Sequence, residues 1–394
     1  MTLADALQDA QAANARLPLA ALGVTFAQTQ VRETQASRWP TLSLQGSASA
    51  GAPLAYTTSQ GQLQVVGDEI LSSGGFRRAT LRAARFGVQA AGAGYRIAQK
   101  DVDLDVRLLF AEFQKAQEEI EFRVQGIDRL RSYLAQVQAR RAAGQPVGSD
   151  VLTIQVRLGT EEATLTDAQR ALDDARLDLN DLMGRNPRAP LAIVPLPAPS
   201  PPASEADSAW SVVPELRQAA ASRAAAEALI AAARSERRPQ LALSANLGVL
   251  PVFADSDAGT GLNSGSGFGG AVVLSLSWPF WDAGVFGARL ERAQLQAQQA
   301  RDSERLARRQ ARLAWQHAAA QRSHIYDEVQ TWGRNVPLAR DAYVQTTSMY
   351  YGGVATALEV LDAFAAWINA SESYTDAVLR FREADANALR WGTP

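Results

Sequence analysis

From residue 41 to residue 50 the chain alternates without a break. Leu42, Leu44, Gly46, Ala48 and Ala50 are apolar or small, and Thr41, Ser43, Gln45, Ser47 and Ser49 separate them. A period of two over that length predicts a β-strand with unlike faces. The alternation returns at Leu241, Leu243, Ala245, Leu247 and Val249, and again at Val272, Leu274, Leu276 and Trp278. A fourth strand around Gln62 to Val66 is the shortest and weakest of the set. Elsewhere the apolar spacing is three to four. Leu109, Phe113, Ala116, Ile120, Ile127, Leu130, Leu134 and Val137 form one stripe; Val151, Ile154, Leu158, Leu165, Ala168, Leu172, Ala175, Leu179 and Leu182 form another. Stripes this long predict helices packed as coiled coils. Arg123 and Glu161 interrupt them, which predicts a shallow or partly wet seam.

The pattern occurs twice. "SRWPTLSLQGSASA" (37–50) resembles "RRPQLALSANLGV" (237–249), and "SSGGFRRATLRAA" (72–84) resembles "WDAGVFGARLERA" (281–293). Gly75 and Gly144 lie 69 positions apart, as do Gly284 and Gly353, and Val151-Leu152 and Val360-Leu361 keep the same 209-residue offset. The expected plan is therefore two copies of helix, β-hairpin, very long helix, turn and return helix. The first copy spans 1–184, with strands at about 40–71, a long helix at 76–143, a turn at 144–149 and a return helix at 150–184. A Pro-rich, extended linker follows at 185–204. The second copy spans 205–394, with strands at about 240–279, a long helix at 285–351, a turn at 352–356 and a return helix at 357–391. At 1.5 Å per residue such a long helix extends roughly 100 Å and needs a partner along its length. On helices alone, a soluble antiparallel coiled coil fits equally well.

The strands change that balance. Four strands cannot close a barrel around a pore, and an open sheet has two edges to protect. Three chains would supply twelve strands and close it. Trp39, Trp278, Phe280 and Trp281 stand at the strand bases, where an interfacial aromatic girdle belongs. The alternative is a small soluble sheet capping a helical body, with Trp278 and Trp281 as core. The segments 53–61 and 255–270 read as hairpin tips.

Composition narrows the chemistry. The 394-residue chain has a formal net charge of −2, which argues against a nucleic-acid binder. It contains no cysteine, so thiolate metal sites, disulfides and a cysteine nucleophile are excluded. No apolar run approaches the roughly 20 residues of a spanning helix, although β-barrel strands need no such run. "MTLADALQDAQ" has neither a basic nor an apolar leader segment, so the expectation is that a signal peptide has been removed. Gly265, Gly267 and Gly270 match G-x-G-x-x-G, but a strand follows where a phosphate loop needs a helix. His317 and His324 share a helix face without a carboxylate cluster. No nucleophile elbow, zinc or Walker motif is present, so neither an enzyme nor a metal or cofactor site is expected.

With these elements in order, the chain resembles the TolC-type outer-membrane efflux channels over nearly its whole length. The residues that carry the resemblance are "WPTLSL" and "RRPQLALS" entering the strands, "WPFWDAGVFGARLERA" leaving them, and the segment from "GGVATALEVLDAFAAW" to "DANALRWG". The resemblance implies a mainly α fold with a membrane β-barrel portion. Three chains then form a twelve-stranded barrel in the outer membrane of a Gram-negative bacterium and a helical tunnel through the periplasm. It implies a homotrimer surrounded by outer-membrane lipid, with a periplasmic adaptor and an inner-membrane pump or exporter as partners, and no nucleic acid. Cargo is left open: efflux, or polypeptide export within the same family. The resemblance places an acidic pore constriction at Glu359 and Asp362, and a tip-gating contact at Tyr350 and Asp150. The gate's arginine falls at Ala355, a departure from the family pattern. Adaptor docking is expected at the tips, on Gly144, Pro146, Val147 and Gly148 and on Gly352, Gly353, Val354 and Ala355.

Overall fold

The computed structural model describes residues 1–51, 58–144, 148–202, 209–254 and 263–392. Among the described residues, seven α-helices and four strands follow one another. Helices α1 (Leu3–Ala13) and α2 (Arg16–Ala36) precede strands β1 (Thr41–Gly51) and β2 (Thr58–Ser72). Helices α3 (Phe76–Ala142) and α4 (Gly148–Leu182) complete the first copy. The second copy contains α5 (Pro214–Ser235), β3 (Gln240–Ala254), β4 (Asn263–Ser277), α6 (Val285–Tyr351) and α7 (Ala357–Trp391). Helices α3 and α6 both have 67 residues, and α4 and α7 both have 35. The repeat extends to single torsions. Gly75 and Gly284 have φ of 106° and 96°, Gly144 and Gly353 have 85° and 77°, and Gly74 and Ala283 have 61° and 53°.

The chain divides into two compact units. The sheet unit comprises Leu22–Ala93 and Arg217–Leu306. Its single antiparallel sheet has the order β1-β2-β3-β4, so the two hairpins join through β2 and β3. Opposed residues share a face. The register Leu44↔Val65, Val65↔Leu247 and Leu243↔Leu274 puts Leu42, Leu44, Leu63, Val65, Leu247, Val272, Leu274 and Leu276 on one side. Ser43, Gln45, Gln64, Asp68, Ser244 and Asn246 occupy the other. The apolar side is bare; Leu42 is 79% exposed and Leu276 71%.

Strand β2 departs from expectation: it runs for 15 residues and is not the shortest strand. Adjacent Val65 and Val66, the Asp68-Glu69 pair and a register shift between Ile70 and Ser72 blur the alternation without ending the ladder. Gly265, Gly267 and Gly270 lie within β4. Trp39, Trp278, Phe280 and Trp281 are 59–80% exposed, which removes the core reading of Trp278 and Trp281.

The helical unit comprises Met1–Ala21, Gly94–Leu216 and Ala307–Pro394. One core joins Ala6, Ala10 and Leu17 to Val102, Val106, Phe110 and Leu179. The Pro-rich segment after α4 is tied down by this unit. Asn180 Nδ2 donates to the carbonyls of Pro187 (3.1 Å) and Ala189 (3.0 Å), and Leu196 N–H donates to Gln114 Oε1 (2.9 Å). Leu191, Ile193 and Leu196 pack on the core. No described helix is long and apolar enough to cross a membrane.

The two charges that interrupt the helical stripes do not wet the seam. Arg123 and Glu161 are 5% and 3% exposed and pair at 3.4 Å. Arg123 also reaches Glu119 (2.8 Å) and Glu372 (3.3 Å), and Glu161 takes Arg157 at 2.9 Å. One break in each stripe thus answers the other, which a single-helix reading cannot reveal. Arg123→Met should cost about 3 kcal/mol because it strips a buried carboxylate of a partner. The double variant R123M/E161M should recover only part of that loss, because Glu119, Glu372 and Arg157 stay without these partners; denaturant unfolding of both measures it.

Candidate functional site: the paired helix tips

Both helical hairpins turn within the helical unit, where one core draws residues from all four helices. Leu130, Tyr133 and Val137 of α3 and Val151 and Ile154 of α4 meet Tyr343 and Tyr350 of α6 and Val360, Phe364 and Trp367 of α7. Each turn needs a left-handed residue after the long helix. At the second, Gly353 N–H donates to Tyr350 O (3.1 Å) and Val354 N–H to Met349 O (3.0 Å). This crossed pair satisfies the last carbonyls of α6 and requires the positive φ that glycine adopts freely. At the first turn Gly144 N–H donates to Arg141 O in the equivalent bond (3.0 Å).

Aromatic rings fill the tip core. Tyr343 stacks on Trp367 at 5.8 Å and meets Phe364 edge-on at 5.6 Å; Tyr133 meets Tyr350 edge-on at 5.4 Å. Three arginines cover ring faces: Arg129 over Trp367, Arg157 over Phe364, and Arg140 over Tyr350 and Tyr351. Beside this core runs an open groove of about 730 Å³, lined by Arg129, Tyr133, Gln136, Tyr343, Thr347 and Tyr351 among others.

The expected gating pair is in contact. Tyr350 Oη donates to Asp150 Oδ2 at 3.3 Å, a long bond. Burial, reinforced by the Asp150 carboxylate, pushes the Tyr350 hydroxyl above its ordinary value. Burial raises Tyr133 and Tyr351 in the same way. Ala355 supplies no cation, but Arg140 does. Its guanidinium donates to Tyr351 O (2.7 Å) and Tyr350 O (3.4 Å) while lying about 5 Å over both rings. It therefore ties the first hairpin to the end of α6. Sequence reasoning missed Arg140. The signal was available in the ARRAAG run before the first turn, but nothing local shows that the partners are carbonyls 210 positions away.

Glu359 and Asp362 lie one turn apart on the exposed side of α7, opposite the buried Val360, Leu361 and Phe364. Glu359 has a second role. Its Oε2 accepts from Thr356 N–H (2.6 Å) and Thr356 Oγ1 (3.0 Å), and its own N–H donates to Thr356 Oγ1 (3.3 Å). This capping box starts α7. The bonds from Thr356 hold the Glu359 carboxyl below its ordinary range. Gly144, Gly352, Gly353 and Val354 are exposed, and Gly148 and Ala355 half-buried. Pro146 and Val147 lie outside the described residues. Gly148 already belongs to α4, so that helix begins two residues earlier than the pattern indicates. His317 and His324 are both exposed, and no metal-holding cluster occurs among the described residues.

Comparison with known proteins adds lineage to this geometry. The sequence model of the family described as "Outer membrane efflux protein" matches residues 6–185 and 207–390. No curated protein sequence matches the chain. Among solved structures, the outer-membrane channel OprN aligns over 99% of this chain and 89% of its own, with a TM-score of 0.86 at 21% identity. CusC aligns over 100% and 92% with a TM-score of 0.87 at 20% identity. The outer membrane protein VceC from Vibrio cholerae aligns over 99% and 95% with a TM-score of 0.84 at 20% identity.

Two outcomes test the tip. Arg140→Gln should uncover the α6 carbonyls, and the amides of Gly353 to Ala355 should then exchange with solvent about tenfold faster. Tyr350 has a folded pKa above its unfolded one. Its contribution is complete below pH 10.0 and is lost as pH rises through the folded value. The protection factors of the same amides, corrected for base-catalysed exchange, should therefore fall on the alkaline side, and Tyr350→Phe should lessen that fall while Tyr133 and Tyr351 keep the rest.

Proposed function

The chain belongs to the outer membrane efflux protein family, and from that premise we propose that it is one protomer of a trimeric channel in the outer membrane of a Gram-negative bacterium. The sheet is the observation that carries the proposal. It has four strands, two unpaired edges at β1 and β4, one apolar face and one polar face. Three copies joined edge to edge supply twelve strands and leave no edge free. The apolar face then meets lipid and the polar face lines a water-filled bore. Trp39, Trp278, Phe280 and Trp281 act as interfacial anchors at the strand ends. The long helix pairs of the three copies line a tunnel through the periplasm.

The channel is passive and carries no catalytic group. An inner-membrane pump supplies the work, and a periplasmic adaptor docks on the tips at Gly144, Pro146, Val147, Gly148, Gly352, Gly353, Val354 and Ala355. Opening is a population shift, so the adaptor binds the open tips better than the closed ones. Tyr350, Asp150 and Arg140 hold the closed arrangement. Glu359 and Asp362 sit at the constriction, where threefold repetition concentrates negative potential and favours cations.

Purification decides the class. Detergent extraction from membranes, a cross-linked trimer and step conductance in a planar bilayer are the expected results. A monomer that stays in the aqueous phase overturns the proposal. Neutralising the constriction with E359Q/D362N should lower the cation-to-anion permeability ratio about threefold, and an unchanged ratio removes the role given to both residues.

A further inference from the structure

In the sheet unit, Arg38 before β1, Arg77 and Arg78 in the first turn of α3, and Arg238 before β3 converge on one cavity of about 760 Å³. Glu69 is the one acidic side chain on its wall. A second hollow of about 580 Å³ shares Gly75, Arg78 and Arg238 with it and adds Arg82 and Glu227. The chain as a whole carries a net charge of −2, so this is not the overflow of a basic surface.

Structural duty accounts for part of the cluster only. Arg77 donates to Ile70 O at 2.7 Å and Arg238 to Gly74 O at 3.0 Å, and each tethers a turn. Among the described residues, none of the four forms an ion pair, and the side chains of Arg38 and Arg78 make no hydrogen bond. Four guanidiniums facing one carboxylate repel one another unless an anion enters. The forked guanidinium matches phosphate oxygens two at a time.

We propose that this hollow binds the phosphate of an anionic lipid headgroup. The wall favours lipid over a free anion. Ile70 and Leu71, 39% and 49% exposed, line it beside the arginines, and Arg38 adjoins the 75%-exposed Trp39. A headgroup with an acyl tail covers both kinds of surface, whereas inorganic phosphate leaves the apolar part wet. The site rests on the barrel reading, because it lies at the ends of the strands, where a membrane interface falls. It assigns the arginines to holding the protomer at a fixed depth in one leaflet.

Native mass spectrometry of the detergent-solubilised full chain provides the test. The probes are dioleoyl phosphatidylglycerol, dioleoyl phosphatidylcholine and inorganic phosphate. Phosphatidylglycerol should be retained, phosphatidylcholine should not, and phosphate should not displace it at equal concentration. Arg38→Gln with Arg78→Gln should weaken retention about 25-fold, or about fivefold per arginine, and R38K/R78K should weaken it much less. Neither side chain holds a described partner, so the variants should assemble and conduct as the parent does. Equal retention by the double Gln variant overturns the site. Displacement by phosphate makes it a free-anion site and overturns the lipid assignment. Loss of the trimer irrespective of lipid makes the cluster a subunit contact and overturns the site as well. Conductance kept while lipid selectivity fails removes this inference alone, whereas a chain that never enters membranes removes the channel reading beneath it.

Discussion

Backbone hydrogen bonding at the edges of the sheet constrains everything else. The N–H and C=O groups on the outer sides of β1 and β4 pair with no further strand among the described residues, and in lipid each such group costs several kcal/mol. The apolar side of the sheet is a second demand, because Leu42, Leu44, Val272, Leu274 and Leu276 stand exposed in the protomer. The proposed closure of three copies answers both demands at once, and the chain's membership of the outer membrane efflux protein family is consistent with it.

The helical unit solves a different problem. Helices of 67 residues have more length than one hydrophobic face of Ala, Leu and Val can hold in register. Their cores are discontinuous: one gathers around Phe110 and Leu179, another around Phe364 and Trp367, and the Arg123–Glu161 cluster belongs to the same unit. A buried ion pair contributes little net stability but penalises any slip that separates its members. In a seam rich in alanine, where sliding by one turn costs little apolar burial, that penalty acts as a register mark. The aromatic tip core works differently. Tyr133, Tyr343 and Tyr350 pack as hydrocarbons, and the Tyr350 hydroxyl adds a polar contact, to Asp150, that can be broken.

Much of the fold was legible because it depends on periodicity and duplication. The 209-residue offset places both turns, both long helices and both return helices from glycines and a Val-Leu pair alone. Strand β2 was undervalued because its two valines sit side by side and its acidic pair falls inside the ladder. On α3 the stripe is off by one position only at its start: Leu109 is half-buried beside the fully buried Phe110, whereas Phe113, Ala116, Ile127, Leu130 and Val137 are buried as their spacing indicates. At the tips, Tyr350 and Asp150 were found through likeness to a family, and Arg140 was not, because Ala355 stands where that likeness puts the cation. Arg140 comes from another helix and binds carbonyls, which leave no trace in a residue pattern.

Ala283 occupies a torsion that its own side chain disfavours by roughly 1–2 kcal/mol, and its counterpart in the first copy is a glycine. The two copies have drifted far apart in residue identity, yet this angle differs between them by only eight degrees. What descends through a duplication of this kind is the path of the chain at its corners. Residues were free to change around that path, and at Ala283 the corner outlasted the amino acid that made it easy to turn.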